Sequence, residues 1–167
     1  IMIYKKEDVL NFLPHREPFL FVDSVSKVEL GSDATQKESM TTKDLVGSTV
    51  VAHFFTREDH PIFAGHFPGK PILPGVVQIE MMAQASSFAL SKIHKDSTEL
   101  EMDVALLSVS DAKFRKPVLP GYELEIRTTC TKVRGGFMNH DCEIYYNGEL
   151  MSQASVFATI TFKEKKA

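Results

Sequence analysis

Residues 75–94, GVVQIEMMAQASSFALSKIH, mix apolar and polar positions at a helical interval. Set at about 100° per residue, Val77, Ile79, Met81, Met82, Phe88 and Ile93 spread over more than half of the circumference. Glu80, Gln84, Ser87 and Ser91 fall on one narrow stripe, four, three and four residues apart. A solvent-facing stripe usually carries Lys and Glu in i,i+4 pairs. This stripe holds a single charge, which predicts one long helix over 75–94 enclosed nearly all round. Elsewhere the alternation is that of strands. FLFVDSVSKVEL (19–30), ATQKESMT (34–41) and STVVAHFFT (48–56) are strand candidates in the first half, after a short helix over 5–12 that Pro14 ends. In the second half come 104–118, 122–133, 137–146 and 149–162. Gly135-Gly136 and Asn147-Gly148 supply hairpin turns. One long helix with six or seven strands gives an α+β domain, an antiparallel sheet with one face to bury and a single apolar helix to cover it.

Length and composition narrow this picture. The 167 residues fit one domain, 1–167, with 163–167 (KEKKA) expected to fray. Hydrophobic residues make up 43% and charged residues 25%, the balance of a soluble globular protein. A net charge of −3 gives no basic field for nucleic acid. No apolar run approaches the ~20 residues of a membrane helix, and the opening IMIYKKEDVL has no signal-peptide core. Two cysteines, Cys130 and Cys142, make neither a disulfide framework nor a metal site and read as reduced thiols of a cytoplasmic protein. No pair of the six histidines has zinc-ligand spacing, so neither a metal nor another cofactor is expected.

The chemistry concentrates in GHFPGKPILPGVVQIEMMAQ (65–84). Pro68, Pro71 and Pro74 fix three φ angles, and Pro74 suits the first turn of the helix. Gly75 leaves the first helix N–H groups, its own and that of Val76, open to a ligand atom. A helix N-terminus is partly positive and stabilises a developing oxyanion. His66 opens this stiff loop, and Glu80 stands alone on the helix with Gln84 one turn on to orient it. A carboxyl in a largely apolar cavity is expected to have a raised pKa and to hold a proton near neutrality. A neutral imidazole, a protonatable carboxyl and a helix-end oxyanion site suit proton abstraction beside a carbonyl with acid help for a leaving group.

The same stretch strongly resembles the signature of β-hydroxyacyl-acyl carrier protein dehydratases of the FabZ type. LPHREPFLFVDSV (13–25) and DAKFRKPVLPGYEL (111–124) agree with that family in order, so the resemblance covers about residues 7–160. It implies the hotdog fold, an antiparallel sheet wrapped around a long central helix, and a homodimer whose sheets join, with trimers of dimers common. It also implies that His66 and Glu80, fourteen residues apart, are the catalytic pair and meet across the dimer interface. Asp stands in the place of Glu80 in the sister dehydratase-isomerases. The chain departs from the family pattern at DHPIF (59–63), where His60 replaces a common Glu, at LLSVSDAKF, and after the helix.

The implied reaction is dehydration of a (3R)-3-hydroxyacyl thioester, carried on the phosphopantetheine arm of acyl carrier protein, to the trans-2-enoyl thioester. His66 would take the C2 proton, Gly75 and Val76 would polarise the thioester oxygen, and Glu80 would protonate the departing hydroxyl. No metal is implied, since the thioester already acidifies C2. Phe67, Pro74 and Phe114 would line the substrate tunnel or its loop, and Lys70, Lys113, Arg115 and Lys116 would attract the acidic carrier protein. Two rivals share the fold: a hotdog acyl thioesterase, against which the complete GHFPGKPILPG loop speaks, and a non-catalytic acyl-binding protein, disfavoured by retention of both His66 and Glu80.

Overall fold

A computed structural model describes residues 1–32, 34, 38–94 and 100–165. Helix α1 (Lys6–Phe12) is followed by β1 (Ser24–Glu29), a 3₁₀ turn (Thr42–Leu45), β2 (Thr49–Phe55) and the short α2 (Pro61–Gly65). Then come α3 (Gly75–Ser86), continued by a 3₁₀ segment (Ser87–Lys92), and the strands β3 (Leu100–Phe114), β4 (Glu123–Arg134), β5 (Phe137–Tyr146) and β6 (Glu149–Glu164). The strands form one sheet in the order β1-β2-β4-β5-β6-β3, and each neighbouring pair is antiparallel. The sheet curls around α3, which is the hotdog arrangement that the resemblance implies.

The periodicities explain why these residues take these places. Along β4 and β5 buried and open positions alternate, so Leu124, Ile126, Met138 and Ile144 all face the helix. Every residue from Met81 to Ser91 is buried, as the nearly uncharged stripe predicts. Phe88 is fully covered and packs on Tyr4 and Phe12, with ring centroids 5.7 and 4.8 Å away. Asn147 and Gly148 both take positive φ, 48° and 77°, as the tight turn between β5 and β6 requires.

Several boundaries differ from the pattern reading. The long helix is α-helical only to Ser86, because the hydroxyls of Ser86 and Ser87 both donate to the Ala83 carbonyl, at 2.9 and 3.0 Å. Such back-bonding competes with the helical ladder and tightens the last turns. The strand expected over 19–30 begins only at Ser24. Ahead of it, the Phe21 N–H donates to Gln84 Oε1 (2.8 Å) and the Phe19 carbonyl accepts from Gln84 Nε2 (3.0 Å), so a helix side chain takes the place of a ladder partner. Of the strand expected over 34–41, residues 35–37 lie outside the described residues, and 38–41 are irregular. Of the tail 163–167 expected to fray, Lys163 and Glu164 instead belong to β6, where Lys163 pairs with Glu101 in the β3–β6 ladder and its Nζ lies 2.8 Å from Asp103 Oδ2, while 166–167 lie outside the described residues. Cys130 and Cys142 are buried, unpaired thiols; Cys130 stands opposite His140 and Cys142 opposite Thr128, one diagonal step apart. Burial pushes the Cys130 thiol up to about 11 and that of Cys142 higher still, which leaves both unreactive. No helix among the described residues is long and apolar enough to cross a membrane.

Strand β3 is different from the rest. It bonds to β6 on one side only, and its residues from Leu106 to Phe114 are all exposed. Leu106, Leu107 and Val109 stand open on this sheet edge. A long apolar edge is a template for another strand.

Candidate active site

The loop 66–74 is tied to itself and to the segment 111–124. Phe67 and Lys70 exchange two backbone hydrogen bonds (3.0 and 2.8 Å), and Gly69 takes a φ of 76° at the turn between them. The Ile72 N–H donates to the His66 carbonyl (2.9 Å), and the Leu73 N–H to the Val118 carbonyl (2.8 Å). Prolines at 68, 71 and 74 remove the N–H groups that would otherwise need partners here. The half-buried His66 ring is held at Nδ1, which donates to the Ile72 carbonyl at 2.8 Å. A carbonyl can only accept, so Nδ1 carries a proton, and in the neutral ring the lone pair is on Nε2. The Phe67 ring stacks on the imidazole, 4.0 Å between centroids, and is itself half exposed.

Pro74 ends the loop as the N-cap of α3, and its carbonyl accepts from Val77 and Gln78, both at 3.1 Å. The N–H groups of Gly75 and Val76 have no acceptor among the described residues. Open N–H groups and the helix dipole make this a seat for negative charge. A Cβ on Gly75 would come within 3.0 Å of two Phe114 ring atoms, so the exposed Phe114 ring lies directly over the helix start.

Glu80 lies one turn further along α3. Its Oε1 accepts from Gln84 Nε2 (3.0 Å) and stands 3.3 Å from His15 Nε2; no hydrogen bond among the described residues reaches Oε2. The side chain is 23% exposed. The expected rise of its pKa is not what this chain shows. Burial pushes the carboxyl up, but the hydrogen bonds from His15 and Gln84 pull it below the usual carboxylate range. The apolar surroundings inferred from α3 alone left out the segment 13–21, which crosses the helix and brings a donor with it. His15 is the site residue that sequence reasoning overlooked. It sits inside the block LPHREPF, which was the available signal, but nothing in the spacing pointed it at Glu80.

His66 and Glu80 are not joined within one chain: the first bonds to Ile72, the second to Gln84 and His15. Lys70 and Lys113 make no side-chain bond or ion pair with another described residue, whereas Arg115 donates to Gln153 Oε1 (2.8 Å) and Lys116 pairs with Glu149. His60, where the family carries Glu, is buried and uses Nδ1 to accept from the Ile62 N–H (3.2 Å), capping α2. Its pKa is lowered by burial first and by Arg57 second. A shallow apolar hollow of about 860 Å³ lies near the β4–β5 turn, lined by Val46, Val133, Phe137 and Phe157 among others, and by neither His66 nor Glu80. No cluster of three or more potential metal ligands occurs among the described residues.

Known proteins resemble this chain over most of its length. Residues 13–155 match the FabA-like domain family. The chain is 35% identical to the 3-hydroxyacyl-[acyl-carrier-protein] dehydratase FabZ of Bartonella henselae, over 95% of this chain and 90% of that protein. It is 32% identical to the enzyme of the same name from Thiobacillus denitrificans, over 94% and 97%. With the bifunctional enzyme LpxC/FabZ of Chlorobaculum tepidum it shares 33% identity over 98% of this chain, which is 31% of that longer protein. Among solved structures, the dehydratase heterocomplex ApeI:P from Xenorhabdus doucetiae superposes with a TM-score of 0.67 at 20% identity, covering 92% of this chain and 90% of that one. A point mutant of the fluoroacetyl-CoA-specific thioesterase FlK gives 0.56 at 11%, covering 75% and 90%. Both likenesses are of fold alone. With a domain match over most of its length and close relatives covered almost end to end, the chain belongs to the FabZ family of FabA-like hotdog proteins.

Proposed function

We propose that this chain dehydrates (3R)-3-hydroxyacyl-acyl carrier protein to the trans-2-enoyl form in fatty acid biosynthesis, as a homodimer whose two active sites each draw on both subunits. The observation that carries the reading is the Nδ1–Ile72 hydrogen bond of His66, which orients the ring and leaves Nε2 as the nitrogen with the lone pair in the neutral imidazole, as a base role needs. His66 Nε2 removes the C2 proton of the thioester. The N–H groups of Gly75 and Val76 stabilise the charge that gathers on the thioester oxygen, a contribution of about 3–4 kcal/mol for one well-placed donor. Glu80 of the other subunit gives a proton to the 3-hydroxyl, which leaves as water. Base and acid each contribute on the order of 10²–10⁴ in rate.

The unpaired β3 edge supports the dimer, because a second copy of the same strand would satisfy its backbone and cover Leu106, Leu107 and Val109. The second copy would also shut water away from the open side of Glu80 and push its pKa back up, as an acid role needs. Lys70 and Lys113, open and unpaired among the described residues, suit the approach of an acidic carrier protein.

A crotonyl thioester tests the reading. Hydration to the 3-hydroxybutyryl thioester is expected, with His66→Ala and Glu80→Gln each slowing it by at least about 10²-fold while both proteins stay folded. Release of free thiol instead would assign a thioesterase, and near-normal hydration by both variants would overturn the roles given to the pair.

A further inference from the structure

We propose that His15 is a positioning residue for the acid of this site: with Gln84 it occupies Oε1 of Glu80 and so leaves Oε2 to carry the proton that is exchanged with substrate. The inference rests on the function proposed above, in which Glu80 is that acid.

A carboxylic acid has one oxygen that accepts and one that carries the proton. Which is which is open for an isolated Glu, and an acid whose proton lies on the wrong oxygen delivers nothing to a leaving hydroxyl. Here Oε1 faces two nitrogens, Gln84 Nε2 at 3.0 Å and His15 Nε2 at 3.3 Å. An amide nitrogen only donates, so Oε1 already serves as an acceptor. The His15 ring completes the arrangement. Its Nδ1 is buried without a hydrogen-bond partner among the described residues, so Glu80 is the polar neighbour that sets the tautomer. A proton on His15 Nε2 gives Oε1 a second donor. The opposite tautomer would draw the Glu80 proton towards the imidazole and hold it away from substrate.

The contact is built from both ends rather than left to a loose side chain. Arg16 Nη1 donates to the carbonyls of Leu13 (2.9 Å) and His15 (2.7 Å), which folds the backbone around His15. Gln84, while donating to Glu80, also grips the same segment at Phe19 and Phe21. His15 and Glu80 side chains are both mostly covered, 17% and 23% exposed. Among the described residues His15 is the one titratable group in contact with Glu80; Gln84 is neutral, and in the proposed dimer His66 of the other subunit faces it from across the interface. Both donors favour the carboxylate over the acid, against the push of burial. His15 thus aims the proton and at the same time makes it easier to release.

The test compares His15→Ala and His15→Gln in the assembled protein, assayed in both directions. Dehydration of a 3-hydroxybutyryl thioester needs Glu80 protonated, and hydration of a crotonyl thioester needs it ionised. Removing the His15 donor raises the Glu80 pKa, so the alkaline limb of the dehydration profile and the acid limb of the hydration profile both move to higher pH. In His15→Ala, kcat is expected to fall by about 10-fold or more with KM nearly unchanged. His15→Gln, which keeps an N–H of similar reach, is expected to restore most of kcat. A ¹³C NMR titration of the Glu80 carboxyl reads the same shift without turnover. Unmoved limbs and an unmoved titration in His15→Ala would overturn the role of His15 even if kcat dropped, since loosened packing lowers rate without retuning an acid. A wild-type protein that neither hydrates nor dehydrates would instead overturn the proposed function, while the titration would still report whether His15 bears on Glu80.

Discussion

Gly31 shows how tightly single positions are held outside the site. A Cβ there would stand 2.9 Å from the Val46 carbonyl oxygen and 3.1 Å from Gly47 Cα. Both are backbone atoms, and Gly47 is itself fixed by donating to the Cys130 carbonyl at 2.7 Å, so neither can swing aside. Gly31→Ala is therefore expected to destabilise the fold by about 1–3 kcal/mol, read as a lower midpoint in chemical denaturation; an unchanged midpoint would show that this crossing can relax. The three atoms nearest the would-be Cβ of Gly75 all belong to the ring of Phe114, an exposed side chain. Tight spacing of this kind cannot be read from a sequence, because Gly31 and Val46 have no pattern that relates them. The placement of His66, Pro74 and Gly75 was legible for the opposite reason: it follows from one short loop and the start of one helix, where neighbours in sequence are neighbours in space. The His15 contact was not legible, and with it the direction of the Glu80 shift was misjudged.

Helix α3 was the most legible element, since a polar stripe with one charge on an otherwise apolar twenty-residue segment fits a helix enclosed by the rest of the fold and little else. Its limits were not, because the Ser86 and Ser87 hydroxyls act through geometry that periodicity ignores. β4, β5 and β6 were legible from their alternation and turns, whereas the start of β1 was misplaced because Gln84 intercepts the backbone of residues 19–21. That interception makes Gln84 a structural clamp as well as a neighbour of Glu80. Gln84→Leu keeps the volume but strips the Phe21 N–H of its acceptor and the Phe19 carbonyl of its donor. Leaving buried backbone groups without partners costs about 1–3 kcal/mol. The Phe21 amide should then exchange with solvent deuterium faster than in the parent protein, while amides at the centre of β5 change only through the overall loss of stability. Equal protection at Phe21 in both proteins would mean that water or a neighbour replaces the side chain.

The exposed edge of β3 ties fold and chemistry together. An isolated chain would present a long apolar strand to solvent and would keep His66 and Glu80 on separate hydrogen-bond networks. The proposed two-fold dimer through β3 would resolve both, since the same patch on each copy would meet itself and create two equivalent sites. The arrangement has an arithmetic consequence. His66→Ala and Glu80→Gln subunits, each inactive alone, are unfolded and refolded together in equal amounts. If each site takes its imidazole from one chain and its carboxyl from the other, a mixed dimer carries one site with both groups intact and one with neither. Random pairing makes half of the dimers mixed, so activity should return to about a quarter of the wild-type value. If both groups came from a single chain, every site in the mixture would lack one of them, and activity would stay at the level of the two parents.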